Sequence, residues 1–436
     1  MGLGILGRGL GYTKFLAECG ADLTVTDLKT KEQLKTSIKA LSKYKNIKFV
    51  LGEHKLEDFR NRDMIIKSAG VPLDSIYIKE AEKNNIPVEM DVSLFAKCAP
   101  EVMLVGVTGT RGKSMVTALI YEILKHNEKL LKRKVHLGGN VRGVATLPLL
   151  KKVKKGDILV CELDSWQLQG FNDANLPRRQ AGFSPHISVF TSFMPDHMNY
   201  YKNSMKDYFA DKASIFKYQK RGDVFITNKD IKKLIKTKLK SKIILANKKS
   251  VQNWKFIVPG DHQRQNLAYA VEVAKQFDIP NSKIKKTIAN FKGVEGRLQY
   301  VKEIKGIKIY NDNNATTPEA TIAGIEALKN NKKNIILICG GADKKLPLDN
   351  FVKAINKNCK AVVMIPGTGT DVFLKNGKLK VPNETGKDLR DVVKKAIKYA
   401  EKWDIILFSP AFASFGMFNN EYERNDLFMK IVKKLK

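Results

Sequence analysis

No stretch of this 436-residue chain stays apolar for the roughly 18 residues that a membrane-spanning helix requires, so membrane insertion is not expected. The chain does not open with a charged segment followed by an apolar one either, which argues against a secretory leader. Cysteine is scarce. Cys19, Cys98, Cys161, Cys339 and Cys359 are odd in number, scattered, and never spaced as C-x-x-C. That usage fits structural thiols in a reducing compartment, and a cytoplasmic location is the expectation. Acidic residues are few as well: 44 Asp and Glu against 78 Lys and Arg leave a net charge of +34. Clustered positive charge would suggest a nucleic-acid partner. Here the lysines run from Lys14 to Lys436 without forming one stripe, and no aromatic-interleaved basic motif accompanies them. No specific nucleic acid is expected, only weak and salt-sensitive binding. Internal repeats and low-complexity linkers are also missing.

What the chain does contain is a phosphate cradle. Residues 102–107 read as a buried strand, a turn with Gly109 and Gly112 follows, and Lys113-Ser114 opens a helical pattern through Ile120, Ile123 and Leu124. Glycines let backbone N–H groups converge on phosphate oxygens with no Cβ in the way, and a helix N-terminus adds its positive end. In such a loop the lysine reaches the β- and γ-phosphates and the serine hydroxyl ligates Mg²⁺. The residue six before the lysine, ordinarily glycine, is Val107, so the loop is a variant, Thr108-Gly-Thr-Arg-Gly-Lys-Ser114. A glycine-rich turn before any helix is the bland alternative; it does not call for strand, loop, Lys-Ser and helix in this order.

The N-terminus carries a second nucleotide signal. Gly2-Leu-Gly4-Ile-Leu-Gly7 is a G-x-G-x-x-G turn, followed by a helical stretch and by Asp22-Leu-Thr-Val-Thr-Asp27, a strand ending in an acid. Together these make a dinucleotide-type βαβ unit. One part is missing, because no strand precedes Gly2. Either the true start lies upstream of Met1 or the sheet lacks much of its first strand. Strand-like pieces at 48–51, 63–67 and 87–90 close this unit near residue 95. Apolar strands at 157–162, 186–193, 223–227 and 242–246 follow the phosphate loop, and others at 307–310, 334–340, 361–365 and 404–408 make up a third unit. Near-continuous apolar runs alternating with helices indicate parallel sheets. The expected class is α/β in three domains: an N-terminal Rossmann-like nucleotide-binding domain (1–95), a central P-loop ATPase-like domain (96–293) and a C-terminal Rossmann-like domain (294–436).

Polar residues gather where these strands end, the usual ligand edge of an open α/β sheet. Glu162 closes its strand; a carboxylate beside a phosphate loop suits Mg²⁺, though a salt-bridge partner is the alternative. His197, in Asp196-His-Met198, is either a ligand or a structural histidine. Lys212 alone looks like any helix lysine. Gly260-Asp-His-Gln-Arg-Gln-Asn266 either faces a ligand or caps a helix. In the third unit, Tyr310-Asn-Asp-Asn-Asn-Ala-Thr-Thr-Pro318, Gly340-Gly-Ala-Asp-Lys344 and Ser409-Pro-Ala-Phe-Ala-Ser414 each follow an apolar strand and suggest a second substrate wall.

Taken in order, Thr108 to Ser114, Gly138-Gly-Asn140, Glu162-Leu-Asp-Ser-Trp-Gln-Leu168, Asp196-His-Met198, Lys212, His262 to Asn266, Gly296-Arg297, Asn311-Asp312, Asp343-Lys344 and the run from Ser409 to Asn420 resemble the Mur ligases over essentially the whole chain. The Gly2–Gly7 turn argues against the folylpolyglutamate synthases, which share the central motif without this type of first domain. The resemblance implies an ATP-dependent amide ligase of peptidoglycan precursor synthesis that uses Mg²⁺, takes UDP-N-acetylmuramoyl-L-alanine and D-glutamate, and acts as a monomer. It implies that Thr108, Gly109, Thr110, Arg111, Gly112, Lys113 and Ser114 hold ATP phosphates, and that Ser114, Glu162, His197 and Lys212, the last as a carbamate, hold metal. Lys113, Asn140, His197 and Lys212 would be catalytic. Asn266, Arg297 and Asp312 would grip the adenine nucleotide. Gly4, Leu6 and Asp27 would lie along the UDP moiety, and Ser165, Thr316, Lys344 and Ser414 would touch substrate. Four positions depart from the family pattern: Asn314 stands where lysine is frequent, Gly416 where Asp is, Gln263 where Asn is, and Glu421-Tyr-Glu-Arg-Asn425 alters an aromatic-acid-x-Arg-Gly run. Other readings are a Mur-like ligase with a different acceptor, a basic P-loop ATPase that binds nucleic acid, and a nicotinamide dehydrogenase. The dehydrogenase leaves Lys113, Glu162 and His197 idle.

Overall fold

The structure is a computed structural model, and it describes residues 1–4, 7–172, 183–330, 332–376 and 378–435. Leu6, expected along the UDP moiety, lies outside the described residues. The chain forms two compact units, Met1–Gln252 with Gln265–Thr287, and Asn253–Arg264 with Ile288–Lys436.

The first unit begins with α1 (Arg8–Glu18), β1 (Leu23–Asp27), α2 (Lys35–Leu41) and β2 (Ile47–Leu51), with β1 and β2 parallel. A second parallel pair, β3 (Ile65–Ile66) and β4 (Val88–Glu89), encloses α3 (Ile76–Lys83). The first residues lace the two pairs together. The Gly2 N–H donates to the Thr26 carbonyl at 2.8 Å, the Met1 nitrogen to the Ile66 carbonyl at 2.9 Å, and the Ser68 N–H to the Met1 carbonyl at 3.0 Å. Met1 and Gly2 thus bridge the two pairs, while residues 1–4 form no strand. Beside them a cleft of ≈ 120 Å³ is lined by Leu3, Leu23, Val25, Phe59 and Ile65, among others.

After α4 (Asp91–Cys98) the chain builds a six-stranded sheet from β5 (Met103–Thr108), β6 (Val135–Gly139), β7 (Ile158–Glu162), β8 (Ile187–Phe190), β9 (Val224–Thr227) and β10 (Lys242–Leu245). The order is β10-β9-β8-β5-β7-β6 and every pairing is parallel. Its helices are α5 (Lys113–His126), α6 (Glu128–Leu131), α7 (Ser165–Gln169), α8 (Met205–Lys217), α9 (Lys229–Leu234), α10 (Asp261–Lys275) and α11 (Asn281–Ala289). Helices cover both faces, which is why β7, β8 and β9 are buried along their whole length and read as unbroken apolar runs. Because β5 is central, the loop that follows it is flanked by the ends of β7 and β8, and Glu162 stands in register with Val107. Tyr12 and Phe15 of α1 and Val92 and Phe95 of α4 share one core with Leu104, Leu159 and Phe190, so the segments on either side of residue 95 pack as one unit.

The second unit carries β11 (Gln299–Ile304), β12 (Ile307–Asn311), α12 (Pro318–Leu328), β13 (Ile335–Gly340), α13 (Asp349–Asn358), β14 (Cys359–Ile365), α14 (Thr368–Asn376), β15 (Asn383–Thr385), α15 (Leu389–Tyr399), β16 (Ile405–Phe408) and α16 (Glu421–Lys434). The sheet order is β11-β12-β16-β13-β14-β15, with β11 antiparallel and the other pairings parallel. Successive residues of β13 feed opposite cores: Leu337 and Cys339 pack with Phe351 and Phe373, while Ile336 and Ile338 pack with Leu389 and Phe428. Side-chain caps start the helices that flank the polar turns. Thr317 accepts from the Ala320 N–H ahead of Pro318, and Asn420 accepts from the Tyr422 and Glu423 N–H groups.

Candidate active site

The loop after β5 takes the shape that its glycines permit. Gly109 (φ 147°) and Gly112 (φ 89°) lie in the left-handed half of backbone space. A Cβ on Gly109 would sit 2.0 Å from Thr191 Oγ1, and one on Gly112 would sit 2.7 Å from Asn266 Oδ1. Both close approaches need glycine. The turn after β8 pins the loop: the Thr110 N–H donates to the Ser192 carbonyl at 2.8 Å, the Arg111 N–H to Ser192 Oγ at 2.8 Å, and Thr191 Oγ1 to the Arg111 carbonyl at 2.6 Å. Thr191 and Ser192 fall inside the strand expected at 186–193, but the strand ends at Phe190, which frees both for the turn.

Two lysine side chains converge on this loop, and a carboxylate residue ends the strand beside it. Lys113, the first residue of α5, folds back and donates to the Gly109 carbonyl at 2.9 Å and the Thr110 carbonyl at 3.1 Å. Lys212 reaches the same Gly109 carbonyl at 3.0 Å from α8, is 1% exposed, and lies 4.9 Å from the centre of the Tyr208 ring. Burial, reinforced by the charge of Lys113, lowers the Lys212 ammonium to about 7. Glu162 is 4% exposed, and no described residue donates a hydrogen bond to its carboxylate. A buried carboxylate without partners is costly unless a cation completes it. Ser114 follows Lys113 in the first turn of α5. His197 adopts φ 55° and tilts against Trp166 at 4.7 Å between ring centres. Ser165, at the start of α7, is buried. Among the described residues no group of three or more His, Cys, Asp and Glu is placed to hold a metal. Any cation here needs oxygens from other chemistry, such as a serine hydroxyl, a modified lysine or nucleotide phosphate.

Asn140 stands at the end of β6, its N–H donating to the Glu162 carbonyl at 2.7 Å. Arg8, which sequence reasoning missed, donates to Asn140 Oδ1 at 2.7 Å. Asp27, at the end of β1, accepts from the Gly4 N–H at 2.8 Å through one oxygen and from the Lys29 N–H at 2.9 Å through the other, so one oxygen ties Gly4 to β1 and the other bonds the chain just beyond β1.

In the second unit, Lys344 donates to Thr316 Oγ1 at 3.0 Å, which joins two of the three expected substrate-wall turns. Arg424, fully buried, donates to Asn313 Oδ1 at 2.9 Å, the Asn313 carbonyl at 3.0 Å and the Phe412 carbonyl at 3.3 Å, tying the turn after β12 to the turn after β16. Ser414, at the end of that second turn, is buried. Asn314, at the position where lysine is frequent, accepts from Asn313 Nδ2 at 3.1 Å. Arg297 follows Gly296 and is half-buried.

Asp312 is buried, accepting from the Leu298 N–H at 3.0 Å and from Ser409 Oγ at 2.9 Å. Burial pushes its carboxyl from 3.8 up to about 7, against the pull of those hydrogen bonds. The folded state then holds a proton that the unfolded state has released. The resulting stability is fully present below about 4 and is lost as the pH rises towards 7, by at most about 4 kcal/mol. Asp312→Asn should flatten the pH dependence of the melting temperature between pH 5 and 8; an unchanged slope would remove Asp312 as its source.

Family models match three consecutive stretches: the Mur ligase MurD-like N-terminal domain over residues 1–89, the Mur ligase middle domain over 107–288, and the Mur ligase glutamate ligase domain over 296–412. The chain belongs to the Mur ligase family. Among curated relatives, the UDP-N-acetylmuramoylalanine--D-glutamate ligase of Borreliella burgdorferi (strain ZS7) is 35% identical over 460 residues, covering 100% of this chain and 97% of that protein. The same-named protein of Roseiflexus sp. (strain RS-1) is 33% identical over 471 residues, covering 99% and 97%. Solved Mur ligases share the fold at lower identity. The UDP-N-acetylmuramate-alanine ligase MurC of Thermotoga maritima superposes with a TM-score of 0.60 at 17% identity, over 100% of this chain and 98% of its own. MurF of the same organism, solved with ADP, gives 0.58 at 17%, over 87% and 97%. The three-domain α/β architecture expected from sequence is that of the family.

Proposed function

We propose that this Mur ligase joins D-glutamate to UDP-N-acetylmuramoyl-L-alanine in peptidoglycan precursor synthesis, consuming ATP and releasing ADP and phosphate. The observation that carries the reading is the match along the whole chain to D-glutamate ligases, together with Lys113 and Lys212 on one carbonyl of the phosphate loop and Glu162 at the end of the adjacent strand.

The chemistry follows from the leaving group. A carboxylate cannot be displaced by an amine, because oxide would have to leave. An oxygen of the L-alanine carboxylate instead attacks the γ-phosphorus of ATP, ADP departs, and the acyl phosphate accepts the D-glutamate amine with loss of phosphate and a proton. Lys113 would hold the transferring phosphate, and its charge stabilises the transition state. Mg²⁺, when bound by Ser114 Oγ, Glu162, carbamylated Lys212 and His197, supplies further neutralisation of phosphate charge. The residues present fit a cation, since the buried Glu162 carboxylate has no other partner among the described residues. Asn140 would orient the acyl end. Asn266, Arg297 and Asp312 would serve the adenine nucleotide, and Gly4 and Asp27 the UDP end. Ser165, Thr316, Lys344 and Ser414 would serve the reacting groups and the amino acid. Water must be kept out, because it hydrolyses an acyl phosphate.

Phosphate release with UDP-N-acetylmuramoyl-L-alanine, ATP and a panel of D-Glu, L-Glu, D-Asp, L-Lys and Gly tests the acceptor. D-Glu should stand clear of the rest. Lys344→Ala should raise the D-Glu KM about tenfold or more, with the ATP KM nearly unchanged, because a charge-assisted contact to a carboxylate is lost. Preference for a cationic or an L-amino acid would mean that the wall bearing Asn314 serves another substrate.

The enzyme is further proposed to be a cytoplasmic monomer without a specific nucleic-acid partner; among the described residues no helix is long and apolar enough to cross a membrane. Tight nucleic-acid binding that survives about 200 mM salt would contradict the diffuse-charge argument.

A further inference from the structure

Arg8 opens α1 directly behind Gly7, and its side chain reaches a residue 132 positions along the chain, Asn140, at 2.7 Å. Chemistry decides which end of the Asn140 amide it meets. A guanidinium carries donors and no acceptor, so the atom facing it must be the amide oxygen. The amide –NH₂ is thereby turned to the other side. No described residue accepts a hydrogen bond from it. The Asn140 backbone is fixed as well, by its N–H bond to the carbonyl of Glu162. Arg8 has few other ties: its Nε is buried without a partner. The Asp91 carboxylate, close enough to feel the Arg8 charge, accepts from the Thr146 and Leu147 N–H groups at 2.7 and 2.8 Å. Arg8 thus links the start of α1 to the strand end that carries Asn140.

We propose that Arg8 is a positioning residue for the ligation: by fixing the Asn140 amide it aims the –NH₂ at the acyl carboxylate of the UDP-linked substrate and couples the start of α1 to the donor at the reacting end. This rests on the ligase reading. A carboxylate turning into an acyl phosphate needs a donor in a set place, and a misplacement of about 1 Å costs on the order of 100-fold in rate. Without Arg8 the amide can rotate by half a turn and present its oxygen, an acceptor that repels the same carboxylate.

The test is a double-mutant cycle of Arg8→Met and Asn140→Ala, with Arg8→Lys as the conservative control, read as kcat, KM for UDP-N-acetylmuramoyl-L-alanine, KM for ATP, and melting temperature. Arg8→Met should lower kcat by about 10- to 100-fold with the ATP KM within about twofold. Arg8→Lys, still a pure donor, should recover most of that loss. In the Asn140→Ala background, Arg8→Met should add less than about twofold, because the partner it acts through is gone. Additive losses, or a lowered melting temperature with unchanged kcat, would overturn the proposal and leave Arg8 a structural tie. If the unmodified enzyme releases no phosphate with D-glutamate, the ligase reading itself fails. The same cycle is then read by calorimetry as the Kd for UDP-N-acetylmuramoyl-L-alanine: non-additive Kd changes uphold the coupling, whereas additive changes, or no binding at all, overturn it.

Discussion

Lys212→Ala is expected to abolish phosphate release, with a fall of about 10²–10⁴-fold, and short carboxylic acids such as acetate are expected to restore part of it. The loss corresponds to several kcal/mol of transition-state stabilisation, the scale set by a mispositioned cation in phosphoryl transfer. The argument starts from burial. Lys212 is 1% exposed and shares the Gly109 carbonyl with Lys113, two cations on one acceptor. Its ammonium, lowered to about 7, is largely neutral at pH 8, and the neutral amine is the form that attacks CO₂. The new N–C bond gives a carbamate, and the amine releases a proton. That product reverses the local electrostatics: an amine whose protonation Lys113 opposes becomes an anion attracted to Lys113, and it would join Glu162 in the proposed cation site. An added carboxylate in the cavity left by alanine would occupy the same place. Full activity of Lys212→Ala would end the carbamate proposal, and so would loss of activity through unfolding with no response to added acid, since that describes a structural lysine.

The sign of the pH effect on stability follows from the same shift. Between about 7 and 10.5 the unfolded chain holds a proton on Lys212 that the folded chain does not, so this group makes the fold more stable as the pH rises through that window.

How much of this was legible in the sequence depended on which physical signal each element carried. β7 and β9 are buried on both faces, so residues 157–162 and 223–227 read as apolar runs and their ends fall within a residue or so of the strands. Three edge strands were not anticipated. β6 ends in Gly138-Gly139, which reads as a turn; β15 is Asn-Glu-Thr, with little to bury; and β11 is half exposed, with a weak alternation. β11 did leave one readable mark. Lys305-Gly306, with φ of 50° and 82°, closes the hairpin to β12 in the twisted turn that matches paired strands, and a two-residue x-Gly between apolar segments is its signature. Site residues divided in the same way. The phosphate loop is a contiguous motif, so its geometry follows from its letters. Arg8, Thr191 and Ser192 act through contacts 80 or more residues away, and no local pattern foretells those contacts. Asp27 was legible as a strand-ending acid, but sequence alone did not reveal that its two oxygens would accept from the Gly4 and Lys29 N–H groups.

Lys113→Ala should remove phosphate release by about 10²–10³-fold while leaving the fold in place, the scale observed when one preorganised donor to a developing anion is deleted. The two halves of this expectation rest on different observations. Lys113 lies at the first position of α5 and is half-buried, and the residues that build the core beneath it are Met115, Val116, Leu119, Ile120, Ile123 and Leu124. Shortening it to alanine leaves those contacts and the helix propensity intact, so the change in stability should stay within about 1 kcal/mol. Its Nζ, by contrast, rests on the Gly109 and Thr110 carbonyls, acceptors of the very loop whose amides would surround phosphate. A γ-phosphate bears more negative charge than either carbonyl and would draw the ammonium off them. That transfer would also relieve Lys212 of its like-charged neighbour at the Gly109 carbonyl, so nucleotide binding and the state of Lys212 should be coupled through Lys113. In the alanine variant the ATP KM should rise and kcat should fall together, because the charge serves both bound and transferring phosphate. Lys113→Arg keeps the charge but replaces a point ammonium by a wider planar fork, and should recover only part of the activity. Turnover in Lys113→Ala comparable to the unmodified enzyme, in a protein shown by its melting curve to be folded, would mean that this loop does not hold the phosphate that is transferred.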